Sequence, residues 1–261
     1  MTPAASEPQE GVGRLAHLFR FPVKSIGGEA LAEAPLEPAR PLPGDRRFGV
    51  LHADALRHLT NGALDRWLPK SAFLRGAAAA PLQAVRGGWD GADLVLTHPE
   101  RGELRFDPAG DDAPLIAWLE PLWAASGKSP AARLVEGPQA LSDVNKPWVS
   151  ILSLSSLALV EDRLGRPLGV DRWRGNLWVE GWAPLAERDL IGATIRIGDA
   201  ELSVLEPIGR CAATSADTGT GCLDGDTPAE LEAAFGHQDF GVYAKVRAPG
   251  TISPGDAVVV L

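Results

Sequence analysis

The sequence is poor in cysteine. Its two, Cys211 and Cys222 among 261 residues, exclude a disulfide framework and a four-cysteine zinc site. A self-contained iron–sulfur cluster of the usual four-thiolate kind is excluded too, so any electrons used here come from another protein or a small donor. Long apolar runs are also missing. None approaches the ~20 residues that cross a bilayer, and no apolar signal core is legible near the N-terminus. A cytoplasmic location with no membrane partner is the expectation. Positive charge is in deficit, with 25 Lys and Arg against 34 Asp and Glu and a net charge of −9. A phosphate backbone demands a basic face, so nucleic acid is not expected as a partner. A small anion needs only a few cations converging on one pocket, and that stays open.

The remaining composition is that of a globular protein, 45% hydrophobic and 23% charged. Its length suits one large domain or two modest ones. The chain is organised around Glu206-Pro207-Ile208-Gly209-Arg210-Cys211-Ala212-Ala213-Thr214-Ser215-Ala216-Asp217-Thr218-Gly219-Thr220-Gly221. An alternating apolar segment runs into this stretch and a Gly-, Thr- and Asp-rich loop leaves it. A thiolate at a strand end, beside a fixed cation, suits a soft metal ligand or a nucleophile. A buried cysteine acting as a small hydrophobe is the plainer reading of the residue alone. A zinc site from Cys211, Cys222, His237 and Asp239 matches no common zinc spacing.

Taken in order, residues 1–12 are polar and Pro-containing, as in a disordered tail. Leu15, Leu18, Phe19 and Phe21 predict a first strand that Pro22 ends. Lys24 and Ser25 then sit beside Gly27-Gly28, in a loop whose backbone can approach a ligand or simply turn. Arg46 and Arg47 open a strand reaching Leu51, with Asp45 available to pair one of them. Residues 93–106 read as a β-hairpin. Residues 112–126 read as a helix capped by Asp111 and Asp112 and stopped at Gly127, with a domain change near there. Further on come a short strand at 149–152, a helix at 153–164 stopped by Gly165, and an arginine-flanked strand at 171–179. A hairpin at 195–205 turns at Gly198-Asp199. Thr227-Pro228-Ala229-Glu230 has the form of a capping box, opening a helix to Phe235. Strands at 240–246 and 256–261 close the chain. Many short strands with few helices indicate a barrel.

Several of these stretches, in this order, resemble the MOSC family, named for the C-terminal domain of molybdenum cofactor sulfurase. They are Phe21-Pro22-Val23-Lys24-Ser25, Gly44-Asp45-Arg46, Arg174-Gly175-Asn176, Glu206 to Thr214, Asp217 to Gly219, Phe240-Gly241-Val242-Tyr243 and Gly255-Asp256-Ala257-Val258. The resemblance implies a mainly β fold with α/β elements. It places a smaller N-terminal MOSC-associated domain at 13–110 and a MOSC β-barrel with peripheral helices at 111–261. It is similar to amidoxime-reducing molybdenum proteins, in which a cysteine ligates the metal of a pterin-bound molybdenum cofactor.

By that resemblance Cys211 is the metal ligand and, with Asp143, catalytic; Asp143 would assist with a proton or a metal-bound water. Lys24, Ser25, Arg46, Arg174, Asn176, Arg210 and Thr214 are the implied cofactor-binding residues. Arg210 is expected to hold Cys211 as thiolate before metal insertion. The implied activity is reduction of N-hydroxylated or N-oxygenated small molecules, with electrons from a separate flavin, iron–sulfur or haem reductase. A cofactor or persulfide carrier without turnover is the alternative, and pyridoxal phosphate binding is also admitted. Gly175 stands where relatives commonly have proline, which predicts a freer loop after Arg174.

Overall fold

The computed structural model describes residues 12–261; the rest of the expected tail lies outside the described residues, and Val12 opens the first strand. Seven strands close into a barrel. Going round it, Val12–Arg20 is followed by Leu177–Glu180, Val149–Ser153, Asp239–Ala248, Ala200–Gly209, Thr194–Ile197 and Ala257–Val260, which pairs again with Val12–Arg20. All pairings are antiparallel except that between Val149–Ser153 and Leu177–Glu180. Parallel neighbours need a crossover, here the helix Leu154–Leu164. That helix explains why Val149–Ser153 is buried at every position instead of alternating. Ile151 faces the barrel core, while Leu152 packs outward with Leu157, Val160 and Trp178.

The smaller unit is built on a second core. The strands Phe48–His52 and Ala131–Glu136 pair antiparallel, and Arg86–Asp90, Asp93–His98 and Gly102–Phe106 form a three-stranded sheet. The helix Ala113–Ala124 buries Leu115, Trp118, Leu119, Leu122 and Trp123 against them. The expected boundary near residue 110 therefore differs from the packing. The first strand is a barrel stave, Ala34–Leu36 pairs with Gly250–Ile252 beside it, and the helix and Ala131–Glu136 belong to the smaller unit. Burial, not chain order, assigns these segments.

Local signals hold at most element ends. Ser153 accepts from Ser156 N at the start of its helix, and Gly165 adopts the left-handed conformation (φ +67°) at the end. Asp111 Oδ1 accepts from Ala113 N, whereas Asp112 Oδ2 takes the Leu134 N–H instead of capping. The helix Thr227–Phe235 is capped by Asp226, because the Thr227 hydroxyl is already donating to the Thr214 carbonyl. The largest difference lies at 171–179. Only Leu177–Glu180 is a strand; Asp171–Trp173 is a 3-10 turn and Arg174 is left-handed at φ +48°. A strand would point Arg172 and Arg174 the same way. The turn sends Arg172 to Asp224 and Arg174 to Gly27.

Candidate functional site

Between the barrel and the smaller unit lies a cavity of about 360 Å³. Strand Ala200–Gly209 runs to its wall and delivers Cys211, a partly exposed free thiol, at the start of the 3-10 turn Ala212–Ser215. The turn is pinned from several sides. Thr214 donates to the Cys211 carbonyl through N (2.9 Å) and Oγ1 (3.0 Å), and Arg172 Nη1 donates to the Thr214 carbonyl at 3.0 Å. From the smaller unit, Gln83 Nε2 donates to the Ala213 carbonyl at 3.0 Å.

Every residue expected at the site lines this cavity: Lys24, Ser25, Arg46, Asp143, Arg174, Asn176, Arg210, Cys211 and Thr214. Their partners divide them. Lys24 Nζ donates to the Leu141 carbonyl (2.8 Å) and to Asp143 Oδ1 (2.5 Å). Arg46 pairs with Asp45 and donates to the Arg174 carbonyl at 2.9 Å. Arg174 donates to the carbonyls of Gly27 (2.6 Å) and Val23 (3.2 Å) and lies over the Phe21 ring. Asn176 is spent between strands, accepting from Ser150 and donating to the Phe19 carbonyl, so it positions rather than presents. Ser25, Arg46 and Arg174 all take positive φ (64°, 50° and 48°). Such backbone costs ~1–3 kcal/mol per residue and persists where surroundings impose it.

Three local expectations meet specific contacts. The Arg210 guanidinium donates to the carbonyls of Phe240 and Trp173, with Cys211 near enough to act on its charge. The Gly27-Gly28 backbone approaches another backbone, with Gly28 N donating to the Gly87 carbonyl at 2.7 Å. Gly175 is also held tightly, since a Cβ there would collide with Leu152 Cδ1.

Electrostatics follow from burial. Desolvation drives Arg174 down to about 9, with Arg46 adding repulsion, and drives Arg210 down to about 10. Burial lowers Lys24 as well, against the pull of Asp143. For Asp143, partial burial works upward, but Lys24, Lys70 and Arg46 outweigh it and hold the carboxyl at about 2. Asp143 is therefore ionised at neutral pH, able to accept a hydrogen bond but holding no proton to give.

Sequence reasoning missed Lys70, Arg75, Gln83, Trp148 and Tyr243, all at the cavity wall. Lys70 and Gln83 lie in short 3-10 turns and Arg75 in the turn between them, with no period to mark any of the three. Trp148 and Tyr243 form an aromatic pair with centroids 5.5 Å apart.

The donor set fits a metal that arrives with its own ligands. Among the described residues no three His, Cys, Asp or Glu side chains gather as a metal group, and His237 and Asp239 pack with Arg188 instead. One thiol is available, together with cations for an anionic ligand. Two polar atoms of wall residues, Arg75 Nε and Trp173 Nε1, are buried with no hydrogen-bond partner among the described residues. Among the described residues no helix is long and apolar enough to cross a membrane.

No curated protein matches the chain. Among solved structures it is similar to YiiM from Geobacillus stearothermophilus (22% identity, TM-score 0.35), covering 43% of this chain and 53% of that one. YiiM from Escherichia coli matches at 18% identity and TM-score 0.32, over 43% of this chain and 53% of that one. The YuaD protein from Bacillus subtilis matches at 13% identity and TM-score 0.43, over 95% of both chains. This chain thus spans about half the length of either YiiM protein. The model of one family matches residues 139–259. Those residues hold six of the seven barrel staves and Cys211, and they are a MOSC domain.

Proposed function

We propose that the cavity holds a molybdenum cofactor and that the protein is an oxidoreductase for N-hydroxylated or N-oxygenated small molecules, fed with electrons by a separate redox protein. The observation that carries this reading is the convergence of Cys211, Lys24, Arg46 and Arg174 on one cavity. A thiolate and a surplus of cations suit a soft metal carried by a phosphorylated organic ligand. Cys211 would hold the metal, and Lys24, Ser25, Arg46 and Arg174 would hold the pterin and its phosphate. When bound, the cofactor supplies the redox chemistry.

The chain's own residues do the rest. The pinned turn Ala212–Ser215 fixes the backbone from which Cys211 projects. Asp143 at the cavity wall, ionised and anchored by Lys24, accepts a hydrogen bond from an incoming group. Burial raises the Tyr243 hydroxyl above its usual range, so it stays a donor beside Trp148.

Elemental analysis for molybdenum with pterin fluorescence, on wild type and on Cys211→Ser, tests the cofactor. Metal is expected in the wild type and lost from the variant. The loaded protein with a chemical electron donor is then expected to reduce an amidoxime or a hydroxylamine; turnover of neither sinks the reductase reading. Persulfide sulfur on Cys211 with no metal would establish the carrier instead.

A further inference from the structure

We infer that Arg75 is an oxyanion-binding residue of the cavity, supplied by the smaller unit and built to grip a phosphate or carboxylate group. This deepens the reading of the same cavity and rests on it for what else is bound there.

The cavity wall carries seven cationic side chains and three carboxylates. Asp143 answers Lys24 and Lys70, and Asp45 answers Arg46. Arg174 and Arg210 have no carboxylate among the described residues, yet their N–H groups are satisfied by backbone carbonyls. Arg75 has neither: its guanidinium makes no hydrogen bond and no ion pair among the described residues, and its Nε is buried. A surface arginine keeps its head in water. The Nε–H, shut away from water, is out of a ligand's reach as well; the unpaired Nη groups, which are not buried, are what a ligand oxygen in the cavity would meet.

The position is also fixed. Leu74 N donates to the Val50 carbonyl at 2.8 Å, and the Arg75 carbonyl accepts from Ala78 N (3.0 Å) and Ala79 N (3.1 Å). Gly76 packs so closely on Gln83 that a Cβ would meet its Cδ at 2.6 Å, and Gln83 donates to the Ala213 carbonyl, two residues past Cys211. One short run of contacts thus joins the backbone of Arg75 to the Cys211 turn. The planar guanidinium fork matches an oxyanion at two points. That oxyanion could be the phosphate of a bound pterin or an acidic group on the substrate.

The test is calorimetric titration of the cofactor-free protein with inorganic phosphate at constant ionic strength. Wild type and Arg163→Ala, a change at an exposed helix position, are expected to bind alike. Arg75→Ala is expected to weaken binding by about tenfold or more, and Arg75→Lys by less, because a point charge loses the two-point grip. Arg75→Gln replaces Arg75→Ala should the latter fail to fold by near-ultraviolet circular dichroism. Unchanged phosphate affinity in folded Arg75 variants overturns the inference. The pterin content of Arg75→Ala isolated from cells that make the cofactor tells the sources apart. Loss of pterin assigns the cofactor's phosphate, and retained pterin with weakened phosphate binding assigns an acidic substrate group. A wild type that never carries molybdenum would sink the cofactor reading while leaving the phosphate result standing.

Discussion

The Lys24 ammonium lies 2.5 Å from an Asp143 carboxylate oxygen, across 119 residues of sequence. The pair is unequal, since 4% of the Lys24 side chain is exposed against 47% of that of Asp143. A buried cation is thereby held at the cavity wall by a carboxylate that still meets water.

This inequality sets an acid limit on stability. The Asp143 carboxyl sits at about 2 against an ordinary 3.8, so as pH falls the unfolded chain takes up the proton first. Its contribution is complete above about pH 4 and is lost as pH falls toward 2. At ~1.4 kcal/mol per unit, discounted for the exposed carboxylate, this is about 1 kcal/mol. Asp143→Asn is expected to lose about that or somewhat more at pH 6, because Lys24 keeps only the Leu141 carbonyl. Urea unfolding at pH 6 and pH 3 checks it. A gap between wild type and variant that does not narrow at pH 3 would count against the pairing.

Glu187 predicts the opposite slope. It is 1% exposed; Oε2 accepts from Ser156 Oγ at 2.7 Å, and Oε1 has no partner among the described residues. Burial raises its pKa despite the Ser156 bond. The folded protein therefore holds this proton more tightly. The contribution is full below the ordinary value of 4.5 and is lost as pH climbs through the folded value. Glu187→Gln keeps the shape and removes the charge, so its Tm is expected to exceed wild type at pH 8, with the difference shrinking toward pH 4.5. A variant melting lower at pH 8 would show the carboxylate to be favourable there.

What could be read in the sequence was local. Ser153 and Gly165 bracket a helix because one side chain accepts a first-turn N–H and the other residue tolerates positive φ. Gly198-Asp199 turns the hairpin that leads to Cys211. What could not be read was set by distant contacts. Nothing within Val12–Arg20 announces that it closes a barrel whose other staves begin at Val149. The left-handed turn at Arg174 is fixed by Gly27 and Asp224 on either side. Motif resemblance brought Lys24, Arg46 and Cys211 together, but Arg75 lies in chain without a period. Arg210 is next to Cys211 in sequence, but where its N–H groups go is set by the Phe240 and Trp173 carbonyls, far off in the chain.

Gly175 is a packing requirement between Arg174 and Asn176. Its Cα lies against Leu152, on the outer face of the Val149–Ser153 strand. Overpacking of this kind costs ~1–3 kcal/mol, so Gly175→Ala is expected to lose that much in chemical denaturation. Leu152→Ala opens the space and carries its own cost, so the double variant is expected to be less destabilised than the sum of the singles by about 1 kcal/mol or more. Strict additivity would mean that the two residues do not share the site.

The ion pair behind the Cys211 turn gives an asymmetric prediction. Arg172, with 1% of its side chain exposed, meets Asp224 at two points, Nη1–Oδ1 at 2.7 Å and Nη2–Oδ2 at 2.6 Å. Asp224 keeps 28% of its side chain exposed and can rehydrate when left alone, whereas the guanidinium cannot. Removing the carboxylate therefore strands a buried charge, at ~3–5 kcal/mol, and Asp224→Ala is expected to cost more than Arg172→Met. Arg172→Met has a second effect, because Arg172 also holds the Thr214 carbonyl at the back of the cysteine turn. In a Cys222→Ser background, so that only Cys211 reacts, this variant is expected to change the rate at which a thiol reagent modifies Cys211. Stability losses in the reverse order, or an unaltered modification rate in Arg172→Met, would show that the turn is held by Gln83 and Thr227 without help from Arg172.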